Sequence, residues 1–112
     1  MEIQTSKGST GMVVSVIGKL DAVTASDYEQ KLNSLIADGE TKFVVDFEKL
    51  DYISSAGLRA ILATAKRIKA KSGKIVMANV SGTVKEVFDI SGFGSIFPMY
   101  SSVASALTTV AG

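Results

Sequence analysis

The segment from residue 43 to residue 59 constrains the fold more than any other part of this sequence. Residues 43–47 are apolar except for Asp46 and include two adjacent valines, which predicts a buried strand. Residues 51–53 lead as a short loop into two adjacent hydroxyls, Ser54 and Ser55. Residues 56–71 then repeat apolar side chains at helical spacing. A strand, a short connection and an amphipathic helix in this order are typical of a sheet whose parallel strands are joined by helices.

Strand-like and helical segments alternate along the rest of the chain. Strands are expected at residues 2–5, 12–17, 42–47, 74–78 and 96–99, and helices at about residues 24–39, 56–71, 81–92 and from Ser101 or Ser102 onward. The pattern predicts a single α/β domain over residues 1–112. We expect a mixed, mostly parallel sheet of four to five strands, about four helices and an antiparallel N-terminal hairpin.

Composition excludes several classes of function. The 112 residues include 12 basic and 11 acidic side chains, which is not the charge balance of a nucleic-acid-binding protein. There is no Cys and no His, so thiolate chemistry, His acid–base catalysis and ordinary zinc sites are not expected. Asp46, Glu48 and Asp51 are explained more simply as surface carboxylates than as a catalytic pair. We therefore expect no enzyme activity, no metal and no cofactor.

Localisation follows from two further absences. No apolar run is long enough to span a bilayer, and residues 1–5 lack the basic and apolar regions of a signal peptide. The sequence therefore predicts a cytoplasmic protein without membrane contact.

The two serines have two interpretations. A hydroxyl at the start of a helix accepts a hydrogen bond from a free N–H of the first turn, and such caps are common. The same place favours an anion, so that a phosphate on either serine would be tolerated there. In a parallel sheet, sites form in the loops beyond the carboxyl ends of the strands. Three loops are expected to meet at this edge: residues 19–21, residues 54–55 and residues 79–82.

Three segments of the sequence, residues 16–21, 44–58 and 84–93, occur in the order found in a known family. They resemble the glycine- and aspartate-containing turn, the phosphorylation loop and the third helix of bacterial anti-sigma factor antagonists, which are small stand-alone STAS domains. The resemblance covers about residues 12–107 and implies the STAS fold.

The resemblance also implies site residues. The family loop often reads Asp-Ser-Ser/Thr-Gly-Leu, and Gly57 with Leu58 fixes the register, so that Ser55 falls on the phosphorylated position. Ser54 replaces the family's Asp and is an alternative acceptor. Lys19 stands where many members have an acidic residue. Partner-binding residues are expected to be Asp21, Ser54, Ser55, Ala56, Gly57 and Arg59.

A partner switch is the function that the resemblance implies. The unphosphorylated protein, a monomer when free, would bind an anti-sigma factor that is also a serine kinase, which frees the sigma factor. Phosphorylation would release this partner until a serine phosphatase resets the protein. The alternative is a STAS-type module that binds a small anion or nucleotide, or holds an assembly together, without a serine switch. We also expect small residues at the helix start, Ala56, Gly57 and Ala60, to form a low-relief interface, and Ser55 to contribute about 1 kcal/mol as a cap.

Overall fold

The structure of the chain, a computed structural model, describes residues 1–111. Within these residues it has six strands and five helices. In chain order they are β1 (Glu2–Lys7), β2 (Met12–Leu20), α1 (Ala25–Ala37), β3 (Lys42–Asp46), β4 (Leu50–Ile53), α2 (Ser55–Ala70), β5 (Lys74–Ala78), α3 (Gly82–Ser91), α4 (Phe93–Ile96), β6 (Met99–Tyr100) and α5 (Val103–Ala111). The predicted mixed α/β fold is confirmed, with one strand and one helix more than expected.

The sheet is built around β3. Its order is β1-β2-β3-β5-β6, in which β1 and β2 form the predicted antiparallel hairpin and the other pairs are parallel. β2 has nine residues and β3 only five. The first part of β2 therefore pairs with β3, and its last residues, Gly18–Leu20, pair with β4. β4 thus extends the sheet beyond the end of β3.

Helices cover both faces of the sheet. On one face α1, α2 and α3 enclose the larger core, which includes Tyr28, Ile61 and Phe88. On the other face α5 packs Ala106 and Val110 against the central strands. β3 is buried on both sides because its successive side chains point to opposite faces. Among residues 1–111, none of the helices combines the length and the apolar character needed to cross a membrane.

A buried polar contact joins the two helices next to the serines. The Tyr28 hydroxyl lies 3.3 Å from Thr64 Oγ1, and Thr64 itself donates to a carbonyl one turn earlier in α2. Burial raises the pKa of Tyr28 to about 12, so the phenol stays protonated at neutral pH. This contact holds α2 against α1 and so fixes the helix whose first turn carries Ser55.

Two sequence predictions are wrong in detail. Residues 51–53 were expected as a loop but lie in β4, where exposed Asp51 and Tyr52 interrupt the buried positions and hide the strand pattern. Residues 96–99 were expected as a strand, but Ile96 ends α4 and the strand begins only at Met99. The short helix forms because Phe93 packs between the rings of Phe88 and Phe97, contacts that a local pattern does not reveal.

Candidate functional site

The serine-bearing helix starts beside the end of β2. Leu20 pairs with Ile53 in the parallel register of β2 and β4, and the Ser54 N–H donates to the Leu20 carbonyl at 3.0 Å. Asp21 and Ser54 directly follow these paired residues. The loops after β2 and β4 therefore leave the sheet side by side, as the sequence predicted for two of the three loops. Lys19 and Leu20, expected in the first of these loops, lie in β2 itself.

The third loop adjoins the ends of β3 and β6. Asn79, which follows β5, donates its side-chain amide to Asp46 at 2.9 Å, at the end of β3. Ser81 lines a shallow groove with Glu48 and Tyr100, whereas neither serine of the α2 start is part of it. The four residues of β4 follow the end of β3 in the chain and lead to Ser54. Residues 79–82 thus adjoin the ends of β3 and β6, where the Asn79 N–H donates to the Tyr100 carbonyl at 3.0 Å, and the meeting of all three loops stays a prediction.

Ser54, and not Ser55, caps α2. Ser54 has extended backbone angles, its Oγ accepts from the Gly57 N–H at 3.3 Å, and its carbonyl accepts from the Leu58 N–H at 2.9 Å. These are the properties of an N-cap residue. Ser55 is the first residue of the helix, one position before the expected start at about residue 56, and its exposed hydroxyl takes no part in the cap. The expectation that Ser55 contributes as a cap is therefore wrong.

Gly57 and Ala60 do not form a surface. Both are buried, and a Cβ at Gly57 would lie 2.5 Å from the Leu20 carbonyl oxygen and 2.9 Å from Ile53 Cγ1. Gly57 thus lets the helix start pack directly on the ends of β2 and β4. The expected low-relief interface of small residues is wrong for these two positions, whereas Ala56 is half-buried and Arg59 is exposed.

Asp21 organises the turn after β2. Its Oδ1 accepts from the N–H groups of Val23 and Thr24, at 3.0 and 3.1 Å, and lies 3.2 Å from Thr24 Oγ1. The hydrogen bond from the Thr24 N–H is the main reason that the pKa of the Asp21 carboxyl lies below its usual value. The carboxylate is therefore ionised at neutral pH, and it has a structural role in the loop that adjoins Ser54.

Two exposed apolar residues flank this region, and no sequence pattern indicates them. Val23, in the Asp21 turn, is 83% exposed, and Tyr52, opposite Lys19 in the β2–β4 pairing, is 50% exposed. A lone Val in a turn and a Tyr next to an Asp form no periodic pattern. Tyr52 is close to the serines in the sequence, whereas the turn that carries Val23 is brought toward them by the β2–β4 pairing. Exposed apolar side chains grouped at one place are typical of protein interaction sites.

Comparison with known proteins identifies the family. Residues 1–106 match the sequence model of the family described as the STAS domain. The chain belongs to the STAS domain family. This STAS domain is also 40% identical, over 97 residues, to BtrV of Bordetella bronchiseptica, a candidate anti-sigma factor antagonist. The match covers 86% of this chain and 84% of BtrV.

Solved structures agree with this assignment. An anti-sigma factor antagonist from Mycobacterium paratuberculosis is 26% identical and superposes with a TM-score of 0.89, over 99% of this chain and 94% of that one. The phosphorylated form of the Bacillus cell fate determinant SpoIIAA is 25% identical, with a TM-score of 0.76 over 97% and 99% of the two chains. These relatives confirm the predicted resemblance and support the anti-sigma factor antagonist interpretation rather than a small-anion or nucleotide module.

The cap geometry leads to a prediction for the two adjacent serines. Ser54→Ala removes the acceptor for the Gly57 N–H and should lower the free energy of unfolding by about 1 kcal/mol. Ser54→Asp should retain most of this stability because Asp is an equally good cap. Ser55→Ala should change stability by less than about 0.5 kcal/mol, since the side chain is exposed and outside the cap. Urea unfolding of the three variants measures this, and equal losses for Ser54→Ala and Ser55→Ala would contradict the assignment.

Proposed function

We propose that this STAS domain is an anti-sigma factor antagonist controlled by phosphorylation of Ser55. In the unphosphorylated state it binds an anti-sigma factor that is also a serine kinase, and the sigma factor is released. Phosphorylation of Ser55 dissociates the complex, and a serine phosphatase restores the binding form. In this proposal the protein is cytoplasmic, forms one domain over residues 1–112 and is a monomer when free. The chain itself catalyses no reaction, binds no cofactor and does not contact nucleic acid.

The proposal depends mainly on the position of Ser55. Ser55 is exposed at the first position of α2, on backbone that the Ser54 cap, the Leu20 carbonyl and the buried Gly57 hold in place. A kinase needs an accessible hydroxyl, and a switch needs that hydroxyl at a fixed place relative to the partner. The phosphorylated form of SpoIIAA, to which this chain is similar, supports the idea that the fold accommodates a phosphate.

The physical effect of a phosphate differs between the free protein and the complex. A phosphoserine adds a charge of about −1.5 to −2 at pH 7. In the free protein this charge is solvated at a helix start, where it stabilises the helix by roughly 0.3–1 kcal/mol. In a complex that covers Ser55 the same charge must lose its water or repel the partner, which costs several kcal/mol. Phosphorylation therefore acts on binding and leaves the fold intact.

Ser54 is less suited to accept the phosphate. It is half-buried, and its Oγ accepts the capping hydrogen bond of α2. A phosphate there would remove or rearrange the cap. We therefore assign Ser54 the role of holding Ser55 in place, with the short hydroxyl cap substituting for the carboxylate that many family members carry.

Phosphate mapping tests the proposal. The protein, Ser55→Ala and Ser54→Ala are each incubated with ATP and the anti-sigma kinases of its own organism, and modified residues are located by mass spectrometry. We expect phosphate on Ser55 in the wild type and in Ser54→Ala, and none in Ser55→Ala. Phosphate on Ser54 alone, or no uptake with any of these kinases, would overturn the proposal.

Asp21 offers a separate test of the partner surface. Asn at position 21 keeps an oxygen that accepts from the Val23 and Thr24 N–H groups but removes the charge, whereas Ala removes both. If the charge contacts the partner or orients Ser55, Asp21→Asn should lower partner affinity or phosphorylation rate about tenfold with little change in melting temperature. If both variants bind and are phosphorylated like the wild type, Asp21 is only a turn residue.

A further inference from the structure

Arg59 lies on the same face of α2 as Ser55. The two residues are four positions apart, and both are exposed. Side chains at positions i and i+4 of a helix are neighbours, with about 5–6 Å between their Cβ atoms. A group attached to Ser55 and the guanidinium of Arg59 are therefore within reach of each other without any change of the backbone.

Among the residues that the structure describes, Arg59 forms no ion pair with an acidic side chain. The three ion pairs formed within residues 1–111 involve Lys7, Arg67 and Lys85. The sequence also contains no Asp or Glu between residues 52 and 85, so helix α2 supplies no carboxylate of its own. Arg67, two turns further along the helix, is instead engaged by Glu29 and Asn33 of α1. The guanidinium nearest to Ser55 is thus free to bind an anion that appears there.

We propose that Arg59 binds the phosphate when Ser55 is phosphorylated and holds it along the surface of α2. This inference rests on the proposed phosphorylation of Ser55 and adds the residue that receives the phosphate within the same chain. This contact between Arg59 and the phosphate, called the Arg59 clamp below, fixes the direction of the phosphate. It also pairs the positive charge of Arg59 with the phosphate, so that this charge no longer faces the partner. A single modification therefore changes two charges on the partner-binding face.

The direction and chemistry of the pair are both favourable. An anion placed four residues before a cation stabilises a helix more than the same pair in the reverse order. Guanidinium also offers parallel N–H donors that match phosphate oxygens, whereas Lys acts as a point charge. Lys66, the next exposed cation of α2, lies eleven residues after Ser55, or about 16 Å along the helix axis, and is too far away to compete.

The second pKa of the phosphate measures the clamp directly. Phosphoserine is incorporated at position 55 during translation, and its phosphorus resonance is followed by NMR between pH 4 and pH 8 in the full chain. The ordinary second pKa is about 6. A cation about 5 Å away in water favours the dianion enough to lower this pKa by about half a unit. We therefore expect the value in Arg59→Gln to lie about half a unit above that of the wild type.

Matched variants separate the clamp from general charge effects. Lys66→Gln removes one positive charge from the same helix and should titrate like the wild type, whereas Arg59→Lys should give an intermediate value. Lys19, Asp21 and Asp51 on the adjoining elements are present in all four proteins, so their effects cancel in the comparison. The difference between wild type and Arg59→Gln should also shrink in 1 M salt. Equal pKa values for these two proteins, or an equal rise in Lys66→Gln, would overturn the inference.

The titration is independent of the proposed switch. It needs neither kinase nor partner, because the phosphoserine is installed during translation. If phosphorylation of Ser55 fails to weaken partner binding, the proposed function is wrong, and the titration still decides whether Arg59 binds the phosphate. If the titration shows no effect of Arg59, the clamp is wrong, and partner affinity still decides the proposed function.

Discussion

Replacing Gly57 by Ala is expected to destabilise the protein by about 3 kcal/mol, near the upper end of the usual cost of adding an atom to a packed site. The new Cβ would lie 2.5 Å from the Leu20 carbonyl oxygen and 2.9 Å from Ile53 Cγ1. Neither neighbour can move easily, because the Leu20 carbonyl also accepts from the Ser54 N–H and Ile53 is buried in β4. The start of α2 must therefore move away from the ends of β2 and β4.

Gly94→Ala is the matched control for this prediction. A Cβ at Gly94 would meet its nearest neighbour, Asp89 Oδ1, at 3.5 Å, which is an ordinary contact. This variant should change the free energy of unfolding by less than about 0.5 kcal/mol. Urea unfolding of both variants gives the comparison. A Gly57→Ala protein as stable as the wild type would show that the helix start is not packed on β2 in this way.

The second large effect is expected for phosphorylation of Ser55. A phosphate within a covered interface should weaken binding of the cognate anti-sigma kinase by about 100-fold, since repulsion and lost hydration of a charge cost several kcal/mol. The melting temperature of the free protein should stay the same or rise slightly, because the exposed helix start tolerates an anion. Ser55→Asp should reproduce the loss of affinity only in part, because a carboxylate has less charge and fewer oxygens than a phosphate.

Much of the fold could be predicted from the sequence because local patterns agree with the final structure. Residues 43–45 are apolar on both faces and lie in the central strand, and the buried stripe of α2 repeats at helical spacing from Leu58 to Ile68. β4 was missed because only its terminal residues, Leu50 and Ile53, are buried. Its existence depends on pairing with β2, about thirty residues earlier in the chain, and no local pattern encodes that pairing.

The candidate site was predictable to a smaller extent. The place of the two serines at the start of a helix follows from the sequence, and the family resemblance selects Ser55. Whether Ser54 or Ser55 is the cap depends on the exact residue at which the helix begins. Sequence patterns do not define helix ends to within one residue. The burial of Gly57 could not be foreseen, since its neighbour Leu20 is brought close only by the long β2 strand.

Partner affinity with and without phosphate on Ser55 tests the central claim most directly. The cognate anti-sigma kinase found by phosphate mapping is titrated with three forms of the full chain: unmodified, with phosphoserine at position 55, and with phosphoserine at position 34. Ser34 is exposed in the last turn of α1, and phosphoserine at this position serves as the control for added charge. We predict about 100-fold weaker binding for the position 55 form alone, with unchanged folding. Equal affinity of the unmodified and position 55 forms would contradict the account.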